Sequence, residues 1–144
     1  MERKLLRVIM AFSVVGFALS TYSLLHHESF VSGALCDINA TFNCDVVNRG
    51  PYSEIGGVPV AFLGLLGYGF IHVAAHLRSR RPKDQSLLTF LVLASAGAVA
   101  FSLYLTSLEA FVLKTWCIIC VSSQISILTV FVASVLLRFR RSTS

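Results

Sequence analysis

Four cysteines, Cys36, Cys44, Cys117 and Cys120, are the residues whose type and spacing could do chemistry. Cys117-Ile118-Ile119-Cys120 is a C-x-x-C that opens an apolar stretch. On a helix, residues three apart share a face. The positive end of a helix favours the thiolate, which is the nucleophile of disulfide exchange. The pattern therefore suits a reactive dithiol. C-x-x-C also occurs in metal sites, and the four cysteines together could make a tetrahedral four-thiolate set of the kind zinc takes. The two isoleucines between the thiols and the apolar setting speak against a metal. Cys36 and Cys44 stand eight positions apart in a polar stretch. One reading is a static disulfide that pins a loop. The other is exchange, because two dithiols on the same side can pass a disulfide through mixed intermediates.

The elements that must position these thiols follow from composition. The chain has 144 residues, of which 56% are apolar and only 13% charged. Soluble domains carry about 25% charge, and disordered chains are poor in apolar residues. A polytopic membrane protein remains. A helix needs about 20 apolar residues to cross a hydrocarbon core of about 30 Å. Four stretches qualify: Val8 to Leu25, Ile55 to Leu77 (the span itself taken as 57–77), Ser86 to Leu108, and Thr115 to Leu137. In lipid each must be helical, since every backbone polar group needs an internal partner. The expected fold is an all-α bundle of four transmembrane helices, one membrane domain over residues 1–144, with a long first loop from His26 to about 56. No small-x-small cleavage site follows Leu25 promptly, so the first span is read as retained.

Orientation follows from the charges. The N-terminus, the loop Arg78 to Gln85 and the C-terminus hold ten of the twelve Lys and Arg, and Arg49 and Lys114 are the other two. The positive-inside rule then puts both termini in the cytoplasm and all four cysteines on the extracytoplasmic side, where disulfides persist. The expected location is the bacterial inner membrane. Although the net charge is +5, the basic residues cluster at span ends rather than in a binding stripe, so nucleic acid is not an expected partner.

The chain resembles a single-domain bacterial member of the vitamin K epoxide reductase family. The resemblance rests on Cys36-Asp37, Cys44, Gly57-Val58-Pro59-Val60 at the start of span two, and Trp116-Cys117-Ile118-Ile119-Cys120, together with the number and order of spans. It implies a four-helix bundle around a quinone, of the ubiquinone or menaquinone type, with the first loop over the pocket. It implies that Cys117 and Cys120 form the active-site disulfide, with Cys120 facing the quinone. Cys36 and Cys44 would be the shuttle pair: Cys36 exchanging with a thioredoxin-like partner, Cys44 attacking Cys117. The chain ends at Ser144 after span four, so that partner is expected to be a separate protein of the periplasm. Animal relatives have an Asn early in span two, which corresponds to Val60 here, and a Tyr four residues after the second active-site Cys, which corresponds to Gln124. Val60 and Gln124 are the expected quinone contacts beside Cys120, and Gln124 can still donate from its amide. With those changes, quinone reduction is expected rather than epoxide reduction. The resulting activity is a membrane thiol:quinone oxidoreductase that supports extracytoplasmic disulfide formation. A metal-binding or a non-catalytic four-helix subunit with structural disulfides are the alternatives.

The other polar residues have plainer expectations. His26 and His27 open the first loop and are expected to be exposed. Glu109 and Lys114 bound the third loop as surface anchors. His72 and His76, at i and i+4, are expected at the solvated cytoplasmic interface, and Asp37 and Asp45 as solvated loop acids. Gly64, Gly67 and the run from Ala94 to Ala98 are expected to let helices approach closely.

Overall fold

The computed structural model describes residues 1–31 and 37–143. Cys36, an expected shuttle residue, lies outside them. Four long helices cross the fold: α1 (Glu2–His27), α3 (Val60–Arg80), α4 (Gln85–Ser107) and α5 (Ile118–Ser142). A short helix α2 (Cys44–Arg49) and a small hairpin of β1 (Glu54–Ile55) and β2 (Val58–Pro59) fill the connection between α1 and α3. The all-α membrane bundle expected from the sequence is observed. The helices are long and apolar enough to cross a membrane, and the chain is a multi-pass membrane protein.

Three boundaries differ from expectation, each for a local reason. Residues 55–59 are hairpin rather than helix. Gly56 and Gly57 both have positive φ, at 60° and 85°, as a two-residue turn between paired strands requires, and Ile55 pairs with Val58. The expected third loop is largely helical: Leu108–Leu113 continues α4 as a π-helix, which stops at Lys114 in the left-handed conformation. The fourth helix starts at Ile118 rather than Thr115, because Thr115 to Cys117 run extended alongside the first loop.

Apolar residues cover the outside of the bundle as well as its core. Phe70, Leu93 and Phe139 point outward with 62–66% of their surface exposed, while Ser13, Ser95 and Ser134 are fully buried. Lipid is as apolar as leucine, so large apolar residues face outward as well as filling the core around Ile9, Ile71, Leu88, Leu91 and Leu137, and small and polar groups join them at the helix interfaces. These serines satisfy their hydroxyls on backbone carbonyls, Ser95 on Leu91 at 2.6 Å and Ser134 on Val130 at 2.8 Å. Helix α1 lies against α3 and α5, and α4 against α5 and α3. The α1–α3 contact is close. A Cβ on Gly16 would run into the Tyr68 ring, and one on Gly64 would sit 2.9 Å from Ser20 Oγ. Gly67 meets nothing nearby, so the closeness expected there is carried by Gly64 alone.

The two ends of the bundle differ. One end gathers charge: Arg78, fully buried, donates to Glu2 at 2.9 Å and to the Asp84 carbonyl at 2.8 Å, and Arg141 also reaches Glu2. The opposite end holds α2, the hairpin, Cys44, Cys117 and Cys120. His72 is not solvated as expected; its Nδ1 is 3.0 Å from Ser13 Oγ in the α1–α3 interface. His76 is exposed.

Candidate active site

The first loop is stitched to the segment before α5. Trp116 N–H donates to the Thr41 carbonyl at 2.7 Å, and Asn43 N–H to the Trp116 carbonyl at 3.1 Å. These two bonds fix the register of one strand-like segment against the other, and the next residue of each is a cysteine. Asn43 then caps α2, its side chain accepting from the Asp45 and Val46 amides, as short polar side chains do at helix starts. Asn39 supports the turn before it by accepting from Thr41 and Phe42.

The outcome is a sulfur contact. Cys44 Sγ and Cys117 Sγ lie 3.0 Å apart, and both residues are fully buried. Cys44 is held in a disulfide, whereas Cys117 and Cys120 are free thiols. With no hydrogen on Cys44, the thiol hydrogen in this contact belongs to Cys117. A thiol resting on a disulfide sulfur is the arrangement from which exchange proceeds. Cys117 caps α5, its sulfur accepting from Cys120 N–H at 3.4 Å, so the C-x-x-C does open a helix as expected. A sulfur in a disulfide is not a thiolate ligand, so in this form Cys44 offers nothing to a four-thiolate metal set.

Behind α2, the end of α1 holds the loop down. Asn48 is the hub: its Oδ1 accepts from Ser23 at 2.8 Å, and its Nδ2 lies 3.3 Å from His26 Nδ1. His27 meets the Asn48 carbonyl through Nδ1 and Glu54 through Nε2. Both ring nitrogens therefore face oxygen atoms, which holds the imidazole in place. The expectation that His26 and His27 are exposed is corrected here. His26 is 1% exposed, because helix α2 folds back over the end of α1 instead of leaving the loop in water. Asp45 is also more than a solvated acid, with Arg49 at 3.2 Å and His26 at 3.6 Å, and Asp37 accepts from the Asp45 amide.

Glu109 departs furthest from expectation. It is 3% exposed, not a surface anchor. The π-helix turns its side chain inward, where Oε2 accepts from Cys117 N–H at 3.1 Å. Its carboxyl also interacts with the Cys120 side chain. Single π-turns inside helices recur at functional sites. A signal was available in the sequence, since a carboxylate inside an apolar run is by default functional.

Beside Cys120 and Glu109 the helices enclose a cavity of about 380 Å³, within the range of small-molecule sites. All four long helices and α2 contribute to its walls, which are mostly apolar with a few polar groups, among them Asn48, His27 and Thr106. Tyr68 also lines it and is fixed by donating to the Ser123 carbonyl at 2.7 Å. Of the expected contacts, Cys120 and Val60 line this space. Gln124 does not; its Oε1 accepts from Thr106 Oγ1, which does. The sequence reading missed Glu109, His27, Asn48 and Tyr68.

Among curated proteins, none matches the chain closely enough to count as a relative. The profile of the Vitamin K epoxide reductase family matches residues 7–135, which take in α3 and α4 whole, most of α1 and α5, and every cysteine. On that match, and with a four-helix membrane fold, the chain belongs to the Vitamin K epoxide reductase family.

Proposed function

We propose that the protein is a membrane thiol:quinone oxidoreductase that makes disulfides for extracytoplasmic proteins. The observation that carries the reading is the 3.0 Å contact between Cys44 and Cys117. It joins a disulfide on the loop to a free dithiol that borders a cavity. In this scheme Cys36 is the disulfide partner of Cys44 and exchanges with a separate thioredoxin-like protein. Electrons then pass from the loop pair to Cys117–Cys120. The observed form, with Cys44 oxidised and Cys117 and Cys120 reduced, corresponds to the stage after that transfer.

The cavity suits a quinone head group in size and character, with apolar walls and few polar groups. Cys120, Val60 and Tyr68 would hold it. A quinone there supplies the two-electron, two-proton acceptor that dithiol oxidation needs. The residues of the chain do the rest: α2 brings Cys44 to Cys117, Asn48 and His26 keep α2 seated, and the short Cys117–Cys120 spacing lets the disulfide close. His27 adds an imidazole to the wall. The sidedness drawn from the basic residues puts this end of the bundle outside the cytoplasm and both termini within it.

The test separates the relay from a static staple. Replacing Cys36 or Cys44 by Ser should block oxidation of a folded thioredoxin-like partner, while dithiothreitol, which needs no docking surface, is still oxidised at Cys117. Normal oxidation of the folded partner by both loop variants would refute the relay.

A further inference from the structure

Glu109 is a buried carboxylate in a membrane-spanning helix, and none of the ion pairs among the described residues includes it. Burying an ionised group without a counter-charge is costly, so such residues persist where they serve a function. Its two partners are unequal. The Cys117 amide, 3.1 Å from Oε2, fixes the carboxyl in place but cannot give up its proton. The Cys120 thiol, whose side chain interacts with the same carboxyl, can. Both groups line the cavity. The geometry is that of a base held by one donor at the start of the C-x-x-C turn, on a cavity that the second thiol also borders.

On the reading of the cavity as a quinone site, we propose that Glu109 is a catalytic base: it takes the proton of Cys120 as the dithiol is oxidised and passes it on to the reduced product. In the balanced step the S–H bonds of Cys117 and Cys120 break and the Cys117–Cys120 bond forms. Two electrons and two protons leave to the quinone, which becomes quinol. Glu109 carries one of those protons and ends the cycle as a carboxylate. The other titratable groups lining this space are Tyr68 on α3, His27 on α1 and Tyr52 in the first loop, and Cys117, the cap of α5, meets Glu109 through its amide. Of these, His27 is held by Asn48 and Glu54 and Tyr68 by Ser123, so neither competes for the Cys120 proton.

The test uses Glu109→Gln, which keeps an oxygen for the Cys117 amide, and Glu109→Asp, which keeps a carboxylate. Reduced, reductant-free protein is alkylated with a small neutral reagent, without quinone, and modification of Cys120 is read by peptide mapping against pH. A proton shared between two coupled groups moves internally, so the native rate should be flat between the two titrations of the pair. In E109Q the thiol must ionise to solvent, and the rate should climb about tenfold per pH unit over the same interval. E109D should restore the flat region. Quinone reduction should fall by about 10²–10⁴ in E109Q, the range of general-base catalysis, and recover in part in E109D. An E109Q profile that matches the native one, or an E109D profile that matches E109Q, overturns the proposal. A native protein that reduces no quinone refutes the functional reading instead, and the alkylation profile still decides on Glu109.

Discussion

Asn48→Ala tests how helix α2 is held. The substitution removes the acceptor of the Ser23 hydroxyl and the amide beside His26 Nδ1, and it strands both groups where they are 6% and 1% exposed. A buried polar group left without a partner costs about 1–3 kcal/mol. Asn48 lines the cavity, so water can fill part of the gap, and the low end applies to each group. The sum is about 2 kcal/mol lost from the docked state of α2, or about 30-fold in its opening equilibrium. The backbone carbonyl of residue 48 remains for His27, so the loss is confined to the side chain. Hydrogen exchange in detergent micelles or nanodiscs should show the amides of Val46 to Arg49 opening about 30-fold more readily, at that equilibrium cost. The core of α4, to which none of the Asn48 hydrogen bonds described above reaches, should keep its protection. Unchanged exchange in α2 would refute the view that the Asn48 hub seats the cysteine loop.

Three further outcomes are expected. Cys120→Ala should trap a mixed disulfide between Cys44 and Cys117, found by non-reducing peptide mapping, because their sulfurs already touch at 3.0 Å; a Cys44 recovered solely with Cys36 would contradict the relay. Gly16→Ala should destabilise the bundle by about 1–3 kcal/mol, the range for overpacking, since the new Cβ meets the Tyr68 ring, and thermal melting in detergent should show it. A reporter fused after Ser144 should read as cytoplasmic, and a periplasmic reading would reverse the proposed electron path.

The spans and the dithiol were legible because their signals are local. Charge-free runs mark helices, and C-x-x-C before an apolar run puts Cys117 at a helix start. The hairpin could have been drawn from Gly56-Gly57, whose doubled glycine is a turn signal that the apolar run obscured. What the sequence did not reveal depends on contacts between distant segments. The pairing of Thr41 and Asn43 with Trp116 brings Cys44 to Cys117 across 73 positions, and no periodicity encodes it. His26 and His27 looked like solvated loop residues because nothing local shows that α2 folds back onto them. Glu109 was read as the edge of a loop. Its helix continues instead as a π-helix, which rotates the side chain inward. Gln124, placed by correspondence alone, bonds Thr106 rather than lining the cavity.

The most direct measurement of the central claim is anaerobic mixing of reduced, purified protein with ubiquinone and menaquinone analogues, following quinol formation. The account predicts one quinol for each Cys117–Cys120 pair oxidised with at least one of the analogues, and none in Cys120→Ala. No quinol from the native protein, or undiminished formation in Cys120→Ala, would contradict it.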